Sequence, residues 1–207
     1  MIIGITGGIG SGKSTITEML KDKYGYIILK TDDIAKELEE PGHEVYEQLK
    51  STFGSDILED TAELKIDKKK FAALIYGDPE AMKAAEEIIH PAAWGYCEDV
   101  IASEKKAAGE KRTEAKVVVE SALPCERYRR MCDEIWFVYA STPVRIERLM
   151  ETRGYSPEKC RKIMDEQISD EEFIIFSDYI IDNSTDLKEA EKRVDELMGD
   201  LQPEGSV

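Results

Sequence analysis

Several residues in this chain are of the types, and at the spacing, that phosphoryl transfer requires. Lys13 and Ser14 follow Gly7-Gly-Ile-Gly-Ser-Gly12, so the stretch reads G-x-x-x-x-G-K-[ST]. In that pattern glycines let the backbone fold tightly, with N–H groups aimed at phosphate oxygens and a helix N-terminus behind them. Lys13 would reach the β- and γ-phosphates of a nucleoside triphosphate, and the Ser14 hydroxyl would ligate Mg²⁺. Gly8, Ile9, Gly10, Ser11, Gly12, Lys13, Ser14 and Thr15 are the expected nucleotide contacts. The alternative is a glycine-rich turn that matches by chance, which the adjoining strand, helix and Lys-Ser pair disfavour.

Two acids are placed to act beside such a loop. Asp32 follows the apolar run Tyr26-Ile-Ile-Leu29, and ligands of parallel sheets bind outside the carboxyl ends of strands. Its carboxylate could take the proton of an attacking hydroxyl, a contribution of roughly 10²–10⁴-fold. Positioning and charge neutralisation would supply the rest. The competing role for Asp32 is to cap the next helix, and for Asp33 capping is the preferred reading. Glu120 ends the run Val117-Val-Val, where an acid can hold Mg²⁺ through water; a plain surface acid is the alternative.

Acids outnumber cations 44 to 28, and one group of arginines stands out. Arg145, Arg148, Arg153 and Arg161 cluster in one segment of a chain whose formal net charge is −16. Guanidinium groups suit bidentate phosphate contact, and one or two of the four are expected to touch the nucleotide, Arg148 and Arg153 first. The others would pair with Glu147, Glu151 or Asp165. Lys68-Lys-Lys70 is either a solvated face or a contact for an anionic acceptor. His90, before Pro91, either closes a helix as a hydrogen-bonded histidine or meets the substrate.

The elements that must position these groups alternate in type. Met1–Thr6, Tyr26–Lys30, Val117–Glu120, Ile135–Tyr139 and Tyr179–Asp182 are short apolar runs that read as strands. Helices are expected over Thr15–Lys21, Ile34–Leu38, His43–Phe53, Asp67–Tyr76, Pro124–Met131, Pro143–Thr152, Pro157–Ser169 and Asp186–Met198. A long helical stretch opening at Asp78-Pro79 is expected to break near His90-Pro91, where proline removes a donor, and to resume to about Ala108. Gly109–Glu114 reads as a solvated loop and Gln202–Val207 as a frayed tail.

Alternation of five strands with helices implies a doubly wound α/β fold. The expected class is the three-layer, P-loop nucleoside triphosphate hydrolase-type fold: a five-stranded parallel sheet, a helical substrate-binding insertion and a lid. Residues 1–33 and 113–207 would form the nucleotide-binding core, 34–112 the insertion, and about 143–170 the lid.

Composition narrows the function. The 207 residues are 42% hydrophobic and 35% charged, enough for a real core. Strong negative charge argues against wrapping nucleic acid or lying on an anionic membrane, and no run is long enough for a membrane span. The N-terminal apolar run leads into the glycine loop and does not read as a signal peptide. Cys97, Cys125, Cys132 and Cys160 lack C-x-x-C spacing, so reduced thiols in a cytoplasmic protein are expected. Asn183 is the single asparagine, which rules out an N-K-x-D guanine-reading motif. The size suits a small-molecule kinase rather than a motor. Among enzymes any P-loop nucleotide or metabolite kinase stays open, and a non-catalytic ATP-binding regulator is the rival from another class.

Gly4–Thr15, Asp32-Asp-Ile-Ala35, Glu40-Pro-Gly42, Phe53-Gly54, His90-Pro91 and Asp182-Asn183, taken in order, resemble the dephospho-CoA kinase family over about residues 1–195. The resemblance implies transfer of a phosphoryl group from ATP, with Mg²⁺, to the ribose 3′-hydroxyl of dephospho-CoA. That is the last step of coenzyme A biosynthesis. It also implies that Asp32 is the general base, that Lys13 and Ser14 hold phosphate and metal, and that His90 lies in the acceptor region; Lys68, from the lysine run, is expected to bind the substrate beside Asp32 and His90. Arg148 falls in the family's lid helix; on the reading of the residues themselves it is expected to take a catalytic part, and Glu120 to help hold the metal. The expected partners are ATP and dephospho-CoA alone, in a monomer or weak homo-oligomer.

The sequence departs from the family in three places. Lys30-Thr-Asp32 stands where D-x-D is usual, Glu120-Ser-Ala-Leu-Pro-Cys-Glu126 where D-I-P-L-L-x-E is usual, and Lys68 where arginine often follows Asp. Lysine keeps the charge there but loses the bidentate fork.

Overall fold

Ile2–Thr6 buries every side chain, the signature of a strand covered on both faces. This strand, β1, is the middle of a five-stranded sheet in a computed structural model that describes residues 1–200. The others are β2 (Ile27–Lys30), β3 (Val117–Glu120), β4 (Glu134–Tyr139) and β5 (Tyr179–Asp182), in the order β2-β3-β1-β4-β5. β1 pairs in parallel with β3 and β4, and β4 with β5. The register sets Glu120 and Trp136 beside Ile5, so Glu120 lies at the sheet edge from which the glycine loop leaves.

Ten helices are described: α1 (Lys13–Tyr24), α2 (Thr31–Leu38), α3 (Glu44–Phe53), α4 (Lys68–Gly77), α5 (Pro79–Lys111), α6 (Glu126–Met131), α7 (Thr142–Arg153), α8 (Pro157–Asp165), α9 (Asp170–Phe176) and α10 (Leu187–Asp200). Alternation along the strands sorts them into layers. Ile3, Ile5, Val118, Trp136, Val138 and Ile181 pack on Ile16 and Leu20 of α1 and Ala190, Val194 and Leu197 of α10. On the other face Phe137 stacks on Phe173 of α9 at 5.1 Å, and the Tyr128 hydroxyl of α6 donates to the Val119 carbonyl at 2.9 Å. Sheet and flanking helices therefore make the three-layer α/β arrangement.

The chain forms two compact units, Met1–Leu29 with the chain from Glu104 onward, and Lys30–Ser103. The second has its own core of Val45, Tyr46, Leu49, Ile57, Leu58, Ile66, Phe71 and Ala85. A 3-10 turn at Ser55–Ile57 and an antiparallel bridge between Leu58 and Ile66 link α3 to α4.

Three sequence expectations are corrected. The break at His90-Pro91 is absent, because α5 runs unbroken with Pro91 inside it. Proline removes one backbone donor there, but buried Ala85, Ala93, Trp94, Cys97 and Ile101 line the helix on both sides of it; packing outweighs one lost bond. The loop expected at Gly109–Glu114 is shorter, since α5 continues through Lys111. The helix expected over Pro157–Ser169 stops at Asp165, and Ser169 starts α9 instead. Its side chain and that of Glu172 form a reciprocal capping box. The expectation for Gln202–Val207 lies outside the described residues.

Candidate active site

The glycine loop joins β1 to α1, and its carbonyls are almost all engaged by the protein. Lys13 Nζ donates to the Gly7 and Gly8 carbonyls at 2.7 and 3.3 Å. Arg145 Nε donates to the Ile9 carbonyl at 2.8 Å. Asn183 Nδ2 and Arg148 Nη1 donate to the Ser11 carbonyl at 2.8 and 3.3 Å. The Gly12 carbonyl accepts from the Thr15 and Ile16 amides. In contrast, the amides of Gly10, Gly12 and Ser14 have no acceptor among the described residues. The loop thus holds its negative ends in protein hydrogen bonds and keeps N–H groups at a helix N-terminus for an anion.

Gly12 has to be glycine. Its φ is +95°, and a Cβ there would overlap the Asn183 amide. Asn183 is buried; its backbone N–H donates to the Tyr139 carbonyl at 2.8 Å, and its own carbonyl accepts from Arg148 Nη2 at 2.8 Å. It is a structural clamp on the loop that the Asp182-Asn183 pair signalled without revealing its task.

The four arginines expected to lie in a lid segment separate. Arg148 is half-buried against the loop and the Asn183 carbonyl. Arg145 is 6% exposed, and burial pulls its pKa below the usual value, with Asp170 opposing. Arg153 and Arg161 are exposed. Sequence spacing could not separate them, because i and i+3 residues share a helix face and only packing decides which is covered. Gln167, which sequence reasoning passed over, accepts from the Ile9 amide at 2.8 Å through Oε1.

A divalent cation fits the donor set near Ser14. The buried Thr17 hydroxyl lies 3.0 Å from the Ser14 carbonyl and 3.4 Å from Glu120 Oε2, tying the acid to the turn that carries Ser14. One hydroxyl and one carboxylate suit Mg²⁺, which keeps waters and takes phosphate oxygens. No group of three or more His, Cys, Asp or Glu able to hold a metal occurs among the described residues.

In the helical unit, Asp32 and Asp33 open α2, and both are exposed. Neither makes a capping hydrogen bond. Asp33 instead pairs with Lys36 at 2.7 Å, which lowers its pKa, so capping is not its role. Lys68 is exposed at the first position of α4. Its charge, after burial has raised the Glu39 pKa, acts to lower it again. Lys70 donates to the Leu58 carbonyl at 2.8 Å and is a structural group. Asp67 caps α4, accepting from the Lys69 and Lys70 amides at 2.8 and 3.1 Å. His90 is half-buried within α5.

Comparisons with known proteins agree with one another. A family model described as Dephospho-CoA kinase matches residues 1–189. A curated dephospho-CoA kinase of Fusobacterium nucleatum is 33% identical, covering 94% of this chain and 95% of its own. One from Aquifex aeolicus is 33% identical, with 96% of each covered. A solved Thermus thermophilus structure superposes with a TM-score of 0.76 at 28% identity, covering 98% of both chains. A dephospho-CoA kinase structure from Campylobacter jejuni shares the fold, with a TM-score of 0.65 at 22% identity over 97% of this chain and 96% of its own.

Proposed function

The chain belongs to the dephospho-CoA kinase family, and from that premise we propose that it transfers the γ-phosphoryl group of ATP to the 3′-hydroxyl of dephospho-CoA. The products are CoA and ADP, and the reaction is the last step of coenzyme A biosynthesis. The observation that carries the reading is the loop whose carbonyls are engaged while the Gly10, Gly12 and Ser14 amides stay open to an anion.

Gly8 through Thr15 cradle the phosphates, with Lys13 on the terminal ones. Arg148 and Arg153 add positive charge as the transferring group separates. Asp32 takes the proton of the attacking hydroxyl, and Lys68 and His90 hold the acceptor. Ser14 and Glu120 would hold Mg²⁺, which when bound neutralises charge on the phosphate oxygens. The nucleotide-binding core is 1–33 with 113–207, the acceptor-binding insertion 34–112 and the lid about 143–170. Closure of the lid would exclude water, so that the phosphoryl group goes to the alcohol rather than to solvent. The work is assigned to the cytoplasm; no helix of the described residues is long and apolar enough to cross a membrane.

The test is ADP release from the purified protein with ATP and Mg²⁺, with and without dephospho-CoA. ADP formation should depend on the acceptor, and Asp32→Asn should lower turnover by roughly 10²-fold or more while leaving ATP binding intact. ATP binding without acceptor-dependent ADP would favour a regulator. Near-normal turnover in the variant would remove Asp32 from the base role.

A further inference from the structure

Arg145 and Gln167 meet at one residue of the glycine loop. The Ile9 amide donates to Gln167 Oε1 at 2.8 Å, Arg145 Nη2 donates to the same oxygen at 3.2 Å, and Arg145 Nε donates to the Ile9 carbonyl at 2.8 Å. These three bonds close a ring that joins the loop, α7 and the turn between α8 and α9. The guanidinium is buried, and its remaining charge faces Asp170 Oδ1 at 3.5 Å. It also lies flat enough against the loop that a Cβ on Gly8 would overlap it.

We propose that Arg145 and Gln167 are positioning residues for nucleotide binding: together they hold both backbone polar groups of Ile9 and tie the loop's shape to the α8–α9 turn. The arrangement specifies itself. Both neighbours of the Gln167 side chain, the Ile9 amide and the Arg145 guanidinium, are donors, so only the amide oxygen can face them. Removing Arg145 opens the ring: the Ile9 carbonyl loses its partner, and Gln167 keeps only the single bond from the Ile9 amide. Because Ile9 directly precedes Gly10, freeing it loosens the amides on which the phosphates rest. A coupling of this kind is reciprocal: nucleotide on the loop steadies the turn, and displacement of the turn weakens nucleotide binding. Neither side chain is assigned to touch ATP. Arg145 thus differs in task from Arg148, although the two are one helical turn apart.

The inference rests on the reading that nucleotide occupies this loop, and the test separates the two. The full chain is titrated with a fluorescent ADP analogue in the absence of acceptor, as wild type, Arg145→Met, Gln167→Leu, Gln167→Glu and the Met/Leu double variant. Arg145→Met and Gln167→Leu should each weaken binding about tenfold. The double variant should be no weaker than the weaker single, because the ring is already broken. Gln167→Glu keeps an oxygen facing both donors and should stay within about twofold of wild type. In turnover the two singles should raise the KM for ATP and leave that for dephospho-CoA unchanged. Losses that add in the double variant, wild-type affinity in Gln167→Leu, or a fall in melting temperature alone would overturn the proposal. A wild type that binds no ADP analogue would overturn the nucleotide reading with it. Gln167 is only half-buried, so its variants decide the matter even if Arg145→Met fails to fold.

Discussion

The two ends of the proposed reaction are built differently. In the sheet-bearing unit the glycine loop is held by Lys13, Arg145, Arg148, Gln167 and Asn183, each with at least one bond to loop backbone. In the helical unit the candidate acceptor residues Asp32 and Lys68 stand exposed on the first turns of α2 and α4. The contrast follows from the ligands. Phosphate is read by backbone N–H groups, whose directions must be fixed beforehand. An acceptor alcohol needs one carboxylate, and an anionic acceptor group one cation, which single side chains on a helix can supply. Damage on the first side should therefore spread through the loop, whereas damage on the second should stay local.

Substitutions can break that contrast, and the largest effect is expected at Lys13. Lys13→Met removes the phosphate-side amine together with its bonds to Gly7 and Gly8, and turnover should fall roughly 10²–10³-fold, read in the ADP-release assay. Gly12→Ala comes next. Strain at a positive φ costs on the order of 1–3 kcal/mol, and displacement of Asn183 adds to it, so nucleotide affinity should fall by an order of magnitude in a direct titration. Lys68→Ala should raise only the acceptor KM, by no more than about fivefold, the range of an exposed ion pair. Equal losses of ATP affinity in Lys68→Ala and Gly12→Ala would abolish the distinction between the two sides.

The smallest effects are on pH stability, and they differ in sign between the units. The Asp67 carboxyl is held below its usual pKa by the Lys70 and Lys69 amides. Its cap therefore contributes above the unfolded pKa and is lost as pH falls through the depressed folded value. Asp67→Ala should lower the melting temperature by a few degrees at neutral pH and by less in acid. Burial pushes the Tyr26 phenol up to about 12. An unfolded tyrosine ionises near 10, so the sheet-bearing unit should lose stability as pH rises from about 10 towards that value. Thermal melts across pH, with Tyr26→Phe as control, check both.

What could be read in advance was whatever local pattern dictates. The five strands and the glycine loop follow from short apolar runs and from glycine at fixed offsets; the glycine pattern puts forward Lys13 and Ser14 as candidates, and the ends of the second and third strands put forward Asp32 and Glu120. The continuous α5 was missed because Pro91 is a strong local signal, while the packing of Trp94 and Cys97 that overrides it is tertiary. The start of α9 carried a readable mark, Ser169-Asp-Glu-Glu172, which is a capping-box sequence. The parts played by Arg145, Gln167 and Asn183 had no such mark. Each depends on a partner more than twenty residues away in the chain, and periodicity says nothing about such pairs.

Phosphorus NMR of the reaction mixture tests the central claim most directly, because it identifies the atom that receives the phosphoryl group. With ATP, Mg²⁺ and dephospho-CoA, the account predicts a new phosphomonoester resonance on the acceptor's ribose 3′-oxygen, growing in step with ADP. Inorganic phosphate and ADP as the only new products, or a monoester on any other oxygen of the acceptor, would contradict it.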